Sequence, residues 1–259
     1  MCRHLAYIGP PVRVRDLLTT GEHSLVHQSY QPRDMRGGGV ANADGYGAAW
    51  WDGPAAANSA LPARYRSAKP IWADTAGLDA LGAITSGAIV AAVRSATEGM
   101  PVIETACAPF LYREWAFSHN GYVAGWPGSL AEQAQALPVV DLMTLEAPTD
   151  SAVLWALIRR EIAATTTAEA AVAVLADVMV RTQRAAPGSR LNFLASNGES
   201  VVATTCVHSL AISVTPESVL VASEPLCAAA EWQSVPDGHV VIAVPGKARI
   251  ASVDEWKAA

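Results

Sequence analysis

The chain has 259 residues, 51% hydrophobic and 16% charged, and its 24 acidic residues outnumber 18 Lys and Arg to give a formal net charge of −6. This composition excludes intrinsic disorder. The chain is negatively charged and has no Lys/Arg block, so it lacks the positive patch with which proteins bind nucleic acids or anionic membranes. The longest apolar stretch, 170–180, is too short to span a bilayer. A chain of this length is sufficient for a buried core, and we expect residues 2–259 to fold as one domain.

Short apolar runs predict the strands of the N-terminal half, at 3–8, 48–51, 88–93 and 115–123. Gly9-Pro10-Pro11 is expected to end the first strand, and a helix-like segment follows at 12–18. A glycine-rich loop at 34–39 precedes the second strand. The Ala-, Pro- and Gly-rich segment 52–62 is predicted to be a surface loop and the site of an insertion.

The C-terminal half begins with two helical patterns. In 150–162 the apolar residues recur on one face, at Leu154, Leu157, Ile158 and Ile162. The next helix is predicted from a capping box, formed by Thr166 and Glu169, and the apolar stripe that follows it. After Gly188 the pattern changes to short β runs at 191–195, 201–205, 210–214, 219–223 and 239–244. Two helices between β-rich blocks are typical of sheets covered by helices on their outer faces.

The cysteine and histidine patterns disfavour metal and redox chemistry. The four cysteines contain no C-x-x-C pair, and four in a chain of this length do not form a disulfide scaffold. The first ten residues also lack the apolar segment of a secretory signal. We therefore expect free thiols in a reducing cytoplasm. The six histidines show no H-x-x-x-H spacing, so no metal site is predicted.

Cys2 carries the most chemical information. An initiator Met before a small side chain is usually removed, which would leave Cys2 with a free α-amine. An α-amine of pKa about 7.7–8.0 on the same residue as a thiol is a base suited to activate that thiol near neutral pH. The alternative is that the cysteine follows the start codon by chance.

Asn120-Gly121 is a strong turn dipeptide and interrupts the predicted strand 115–123. In a tight turn, the Asn amide and the adjacent backbone N–H also form a two-donor cradle for an oxyanion. A plain turn and an oxyanion site are both compatible with these two residues. His119, directly before them, is a second candidate base after the terminal amine.

Three charged side chains occupy positions that require a partner. Arg94 ends an apolar strand, where its guanidinium either forms an internal salt bridge or grips a substrate carboxylate. Asp150 opens a predicted helix, where it either caps the helix or accepts hydrogen bonds from a substrate ammonium. Glu224 closes a β run and is a candidate buried brace for such a site.

Together these residues resemble the class II glutamine amidotransferase family, whose members are N-terminal nucleophile hydrolases. The resemblance covers nearly the whole chain, in the family's order, through the strings Met1-Cys2, Arg94-Ser95-Ala96-Thr97-Glu98-Gly99, His119-Asn120-Gly121, Thr149-Asp150-Ser151 and Ser223-Glu224-Pro225. After Arg94-Ser95-Ala96-Thr97, Glu98 stands where many glutaminase relatives have His. After Asp150-Ser151, Ala152 stands where an acidic residue often occurs. Both departures favour a γ-glutamyl substrate other than glutamine.

The resemblance implies an α+β fold, a four-layer αββα sandwich with the nucleophile at the end of a central strand. It implies that Cys2 attacks a γ-glutamyl carbonyl and that Asn120 and Gly121 hold the oxyanion. The glutamyl α-carboxylate and α-amine are gripped by Arg94 and Asp150, with Thr97 as a further substrate-binding residue. It also implies that no metal or organic cofactor takes part. The expected partner is a small-molecule γ-glutamyl substrate, with no nucleic acid and no membrane.

Within this family the chain looks most like stand-alone amidohydrolases that remove a γ-glutamyl group from a larger amine. The alternatives are a glutaminase subunit that delivers ammonia to a separate synthase, another small γ-glutamyl hydrolase, and a catalytically silent binding protein. If the amine carries a quaternary ammonium, a cation–π face for it would come from Trp50, Trp51, Trp72 or Trp126, among which the sequence does not choose.

Overall fold

A computed structural model describes residues 2–36, 41–52, 61–228 and 231–258. In this part of the chain the strands are β1 Arg3–Arg13, β2 Tyr46–Trp50, β3 Ala63–Ser67, β4 Thr85–Val93, β5 Phe110–Tyr112, β6 Trp115–Tyr122, β7 Arg190–Ser196, β8 Val201–Thr204, β9 Ala211–Val214, β10 Val219–Ala222, β11 Trp232–Ser234, β12 His239–Val244 and β13 Lys247–Ser252. The helices are α1 Val14–Thr19, α2 Leu25–Tyr30, α3 Thr75–Gly82, α4 Ala131–Ala134, α5 Val139–Met143, α6 Asp150–Ile162, α7 Ala168–Ala185 and α8 Val253–Ala258.

The strands form two antiparallel sheets. The first has the order β11-β9-β10-β1-β4-β2-β3, and the second has the order β13-β12-β8-β7-β6-β5. Consecutive residues of β1 alternate between two cores, because successive side chains of a strand point to opposite faces. Ala6 and Ile8 belong to the apolar layer between the sheets, whereas Leu5 packs against α1 and α2 on the outer face.

The two long helices cover the outer face of the second sheet. Leu154 and Ile158 of α6 and Leu175 of α7 are buried there together with Phe117 and Phe193 of the sheet. The order of layers is therefore helix, sheet, sheet, helix, and the predicted four-layer αββα sandwich is confirmed. No helix among the described residues is long and apolar enough to span a membrane.

Several predicted boundaries shift by one or two residues, and two others are wrong for a physical reason. The first strand does not stop at Gly9-Pro10-Pro11 but continues to Arg13, with a register shift between Ile8 and Val12 against β4. Proline is tolerated at such an irregularity because it lacks the N–H that a regular ladder would use. The cap of α7 is Thr167, whose side chain accepts a hydrogen bond from the Ala170 N–H, and not Thr166.

The largest difference concerns Asn120-Gly121, which forms no turn. Both residues lie inside β6, where Asn120 pairs with Asn192 and Gly121 pairs with Leu191 of β7. The hydrogen bonds of the neighbouring strand outweigh the local turn preference of the dipeptide. The predicted glycines 37–39 and residues 53–60 of the predicted insertion lie outside the described residues.

Candidate active site

Cys2 directly precedes β1, the central strand of the seven-stranded sheet. Its thiol is half-buried, and Sγ lies 3.9 Å from the carbonyl oxygen of Ser95, in the loop after β4. A narrow cavity between the two sheets is lined by Cys2 together with Arg94, Ser118 and His119. The sandwich therefore presents the thiol where β1 begins and where the loops of both sheets meet.

A buried arginine fixes the backbone next to Cys2. Arg3 is 1% exposed, and its Nη1 donates to the Cys2 carbonyl oxygen at 3.0 Å. Its Nε donates to Oε1 of Glu224 at 2.8 Å, and its Nη2 donates to the Asp34 carbonyl oxygen. A guanidinium with three fixed acceptors cannot rotate freely, so it holds the chain at Cys2 in one position.

Glu224 is the buried brace that the sequence suggests. Its second carboxylate oxygen lies 2.5 Å from Nε2 of His23 and accepts the backbone N–H of Arg33 at 2.8 Å. Burial on its own raises the pKa of Glu224, but the bonds from His23 and the charge of Arg3 hold that pKa below its ordinary value. Glu224 is therefore ionised at neutral pH and neutralises Arg3.

Asn120 is anchored by Ser223, for which the sequence patterns indicate no separate role. Its Nδ2 donates to Ser223 Oγ at 3.3 Å, and the same oxygen accepts the backbone N–H of His4 at 2.9 Å. The Ser223 N–H in turn donates to the His4 carbonyl oxygen at 2.9 Å. An amide nitrogen has two N–H groups, so one anchors Asn120 and the other remains for a ligand.

Gly121 has no room for a side chain. A Cβ at this position would lie 1.8 Å from the Arg190 carbonyl oxygen and 2.7 Å from Nε2 of His119. The close approach of β7 therefore requires glycine here.

His119 is not oriented as a base for the thiol. Its Nε2 lies 2.9 Å from the Arg190 carbonyl oxygen, and its Nδ1 lies 3.0 Å from Ser151 Oγ. A carbonyl only accepts, so Nε2 carries the proton and Nδ1 of the neutral ring faces the Ser151 hydroxyl, which also lies 3.3 Å from Asp150 Oδ1. Burial lowers the pKa of His119, which keeps the ring neutral. Both ring nitrogens are occupied, and His119 acts as a spacer between β7 and α6.

Arg94 lies beside Cys2 and lacks a charged partner. It is 9% exposed, its Nη1 donates to the Pro101 carbonyl oxygen at 2.9 Å, and no carboxylate among the described residues lies within 4.0 Å of it. The internal salt bridge considered from the sequence is therefore absent among these residues. A guanidinium this buried without a counter-charge is suited to bind an anionic ligand.

Thr97 and Asp150 line a second cavity of about 430 Å³, which Arg94 does not line. Asp150 does not cap α6, because the cap is Thr149, whose hydroxyl accepts from the Ala152 N–H. The Asp150 carboxylate instead accepts the N–H of Ser151 at 2.6 Å and that of Val123 at 2.9 Å. Backbone donors thus orient a carboxylate at the wall of the cavity.

Asp44 positions the loop that carries Arg94, a role that the sequence patterns do not indicate. Its Oδ2 accepts the Ala96 N–H at 2.7 Å, and its backbone N–H donates to the Arg94 carbonyl oxygen at 2.9 Å. The string Asn42-Ala43-Asp44-Gly45 indicates a turn, but it does not indicate a partner for Asp44 at a distance of 52 positions.

The structure separates the four candidate tryptophans. Trp50 is buried between the first sheet and its helices, and Trp51 is buried between the two sheets. Trp72 packs edge-on against Tyr30 at a ring separation of 5.9 Å. Only Trp126 of the four lines the cavity that Thr97 and Asp150 share. Tyr122 lines the same cavity.

Comparison with known proteins supports one family over most of the chain. The family model described as "Glutamine amidotransferases class-II" matches residues 17–217. The chain is 37% identical to the γ-glutamyl-hercynylcysteine sulfoxide hydrolase of Mycobacterium tuberculosis strain H37Rv, over 99% of each protein. It is also 37% identical to the protein of that name from Mycolicibacterium smegmatis, over 93% of this chain and 95% of the other.

Two solved structures share the fold. A class-II domain protein from Silicibacter pomeroyi superposes with a TM-score of 0.65 at 24% identity, over 97% of this chain and 99% of the other. The glutamine phosphoribosylpyrophosphate amidotransferase of B. subtilis superposes with a TM-score of 0.64 at 17% identity, over 97% of this chain and 49% of the other. At these identities the likeness establishes the architecture alone.

Proposed function

The chain belongs to the class II glutamine amidotransferase family, and from this premise we propose that it hydrolyses γ-glutamyl-hercynylcysteine sulfoxide. The bond cleaved is the γ-glutamyl amide, and the products are glutamate and hercynylcysteine sulfoxide, in ergothioneine biosynthesis. The observation that supports this substrate is the match, over nearly the full length, with the mycobacterial hydrolases of that name. We also propose a cytoplasmic location, which the four unpaired cysteines support.

The proposed nucleophile is the thiol of Cys2 and the proposed base is its own α-amine. Met1 lies outside the described residues, and its removal is part of the proposal. The amine takes the thiol proton, directly or through a water, and the thiolate attacks the γ-carbonyl carbon. The hydrogen-bonded state of His119 supports this assignment, because neither of its ring nitrogens is free to take that proton.

Asn120 and Gly121 are the proposed donors to the oxyanion. The second N–H of Asn120 Nδ2 and the backbone N–H of Gly121 would bind the oxygen that becomes negative as sulfur attacks. Removing one such donor costs about 10²–10³-fold in kcat in well-studied hydrolases. The anchor at Ser223 supports this role, since a donor held before reaction needs no reorganisation during it.

Collapse of the tetrahedral intermediate completes the first half of the reaction. The protonated α-amine gives its proton to the leaving nitrogen, the C–N bond breaks, and a γ-glutamyl thioester remains on Cys2. Water, deprotonated by the same amine, attacks the thioester and releases glutamate and the free thiol. The glutamyl end is held by Arg94 at its carboxylate and by Asp150 at its ammonium, with Thr97 beside it.

The test combines one substitution with one labelling experiment. Cys2→Ala should abolish hydrolysis, because it removes the proposed nucleophilic sulfur, while the thermal midpoint stays near that of the parent. Cys227→Ala is the matched control, since this exposed cysteine is remote from catalysis in the proposal, and it should keep full activity. A diazoketone analogue of glutamine should label residue 2, as located by mass spectrometry, and the labelled protein should begin at Cys2.

Two results would refute the assignment. One is an adduct on a different residue. The other is a fully active protein that retains Met1, because a blocked α-amine cannot accept the thiol proton. Plain glutamine supplied alongside distinguishes the glutaminase alternative, which predicts its faster hydrolysis.

A further inference from the structure

A separate cavity opens on the seven-stranded sheet at the end of its strands where Cys2 lies. Its volume is about 520 Å³, within the range of small-molecule sites. It lies where β10 and β11 end and β9 begins. Its lining includes Arg33, Asp34, Leu210, Ser223, Glu224 and Val235.

This cavity and Arg94 lie on opposite sides of Cys2. In the sheet, β1 is flanked by β10 on one side and by β4 on the other. Ser223 and Glu224 follow β10, whereas Arg94 follows β4. Neighbouring strands are about 4.8 Å apart. A ligand that lies over Cys2 and across the strand ends therefore reaches Arg94 on the β4 side and the cavity on the β10 side.

The cavity is also coupled to Cys2 through a single side chain. Arg3 contacts the Cys2 carbonyl oxygen with one nitrogen, and Glu224 and the Asp34 carbonyl with the others. An amide has its acyl group on one side of the scissile bond and its amine on the other. If the glutamyl group lies toward Arg94, the amine extends toward the cavity.

The chemistry of the lining indicates what the amine portion must carry. Arg33 is exposed, and its backbone is fixed by the hydrogen bond from its N–H to Glu224 Oε2 at 2.8 Å. Its guanidinium has no carboxylate within 4.0 Å among the described residues, whereas Arg36 pairs with Asp34 at 3.0 Å. Leu210 and Val235 supply a buried apolar wall.

We propose that this cavity is the leaving-group subsite and that Arg33 binds the carboxylate of an amino-acid amine. The proposal rests on the proposed function and deepens it by assigning the residues that select the amine. The ligand class is an α-amino acid, joined through its nitrogen to the γ-glutamyl group, with a side chain that packs on the apolar wall. Arg33 is then a specificity residue with no part in the bond-breaking step.

A matched pair of substrates isolates this contact. One is γ-glutamyl-S-methylcysteine S-oxide, and the other is the same amide with hydrogen in place of the cysteinyl carboxylate. Arg33→Gln should raise KM for the first by roughly tenfold, the effect of losing one hydrogen bond to a charged group, and leave KM for the second unchanged. The kcat values for both should stay near those of the parent.

Two further variants control the result. Arg33→Lys keeps the charge and should recover part of the loss. Arg184→Gln removes an exposed arginine from the last turn of α7 and should change neither substrate. Because no hydrogen bond or ion pair of the Arg33 side chain appears among the described residues, its variants should keep the thermal midpoint of the parent.

The outcomes separate the two proposals. If the parent hydrolyses both amides and Arg33→Gln changes them equally or not at all, the subsite is wrong while the γ-glutamyl activity stands. If the parent hydrolyses neither amide nor γ-glutamyl-hercynylcysteine sulfoxide, the proposed function fails and the subsite fails with it.

Discussion

Ser223→Ala tests whether the hydroxyl between Asn120 and β1 serves catalysis as well as stability. Ser223 is 1% exposed, and its Oγ accepts the Asn120 Nδ2–H and the His4 N–H. Alanine leaves two buried donors without a partner, each at a cost of about 1–3 kcal/mol. We therefore expect the free energy of unfolding to fall by about 2–6 kcal/mol.

The catalytic effect should appear in kcat rather than in KM. Complete loss of an oxyanion donor lowers kcat by about 10²–10³-fold, and here Asn120 remains but loses its anchor, so we expect a fall of roughly 10- to 100-fold. KM should change less than kcat, because the glutamyl-binding residues do not contact Ser223 in the proposed arrangement, although Ser223 lines the cavity proposed for the leaving group. Initial rates with γ-glutamyl-hercynylcysteine sulfoxide give both constants.

Ser86→Ala is the matched control. Ser86 is equally buried, and its Oγ accepts the Ala88 N–H at 3.1 Å and donates to the Trp51 carbonyl oxygen at 2.8 Å. It lies near the start of β4, at the end of the sheet away from Cys2. The two variants should lose similar stability in urea titrations, and only Ser223→Ala should lose kcat. Equal kcat values for the two variants would show that Ser223 has a structural role alone.

Two other predictions concern stability. Burial lowers the pKa of His4 and of His208 to about 3, below the ordinary value of 6.5, so the unfolded chain binds more protons between these values and acid destabilises the fold. Their combined effect should reduce the free energy of unfolding by about 2–3 kcal/mol between pH 7 and pH 5.5. If urea titrations give the same free energy of unfolding at both pH values, the two rings are not buried in the neutral form. Gly121→Ala should lower the free energy of unfolding by more than about 3 kcal/mol, because the added Cβ would clash with the Arg190 carbonyl. Gly128→Ala is the control, since no atom lies within 4 Å of the added Cβ, and the same titration should show a change within about 1 kcal/mol.

Sequence patterns within a few residues are sufficient to predict many of the helices and strands. The apolar spacing of 150–162 predicts α6 with both of its ends, and the β run 239–244 coincides with β12. Such patterns work because the face a residue buries follows from the helix or strand period. The edge strands β3 and β13 escape prediction, since their half-exposed, basic sequences lack an apolar run.

The sequence by itself therefore determined the layered α+β fold and the set of side chains on which the proposed chemistry depends. Only the tertiary structure decided how they are held: Asn120 in a strand instead of a turn, its anchor Ser223 from 103 positions away, and Glu224 against His23 from 201 positions away. Each of these bonds is made because the folded layers bring distant strand ends together and bury them, where a polar group without a partner is costly. Local sequence patterns contain no information about such partners, so no rule based on spacing identifies them.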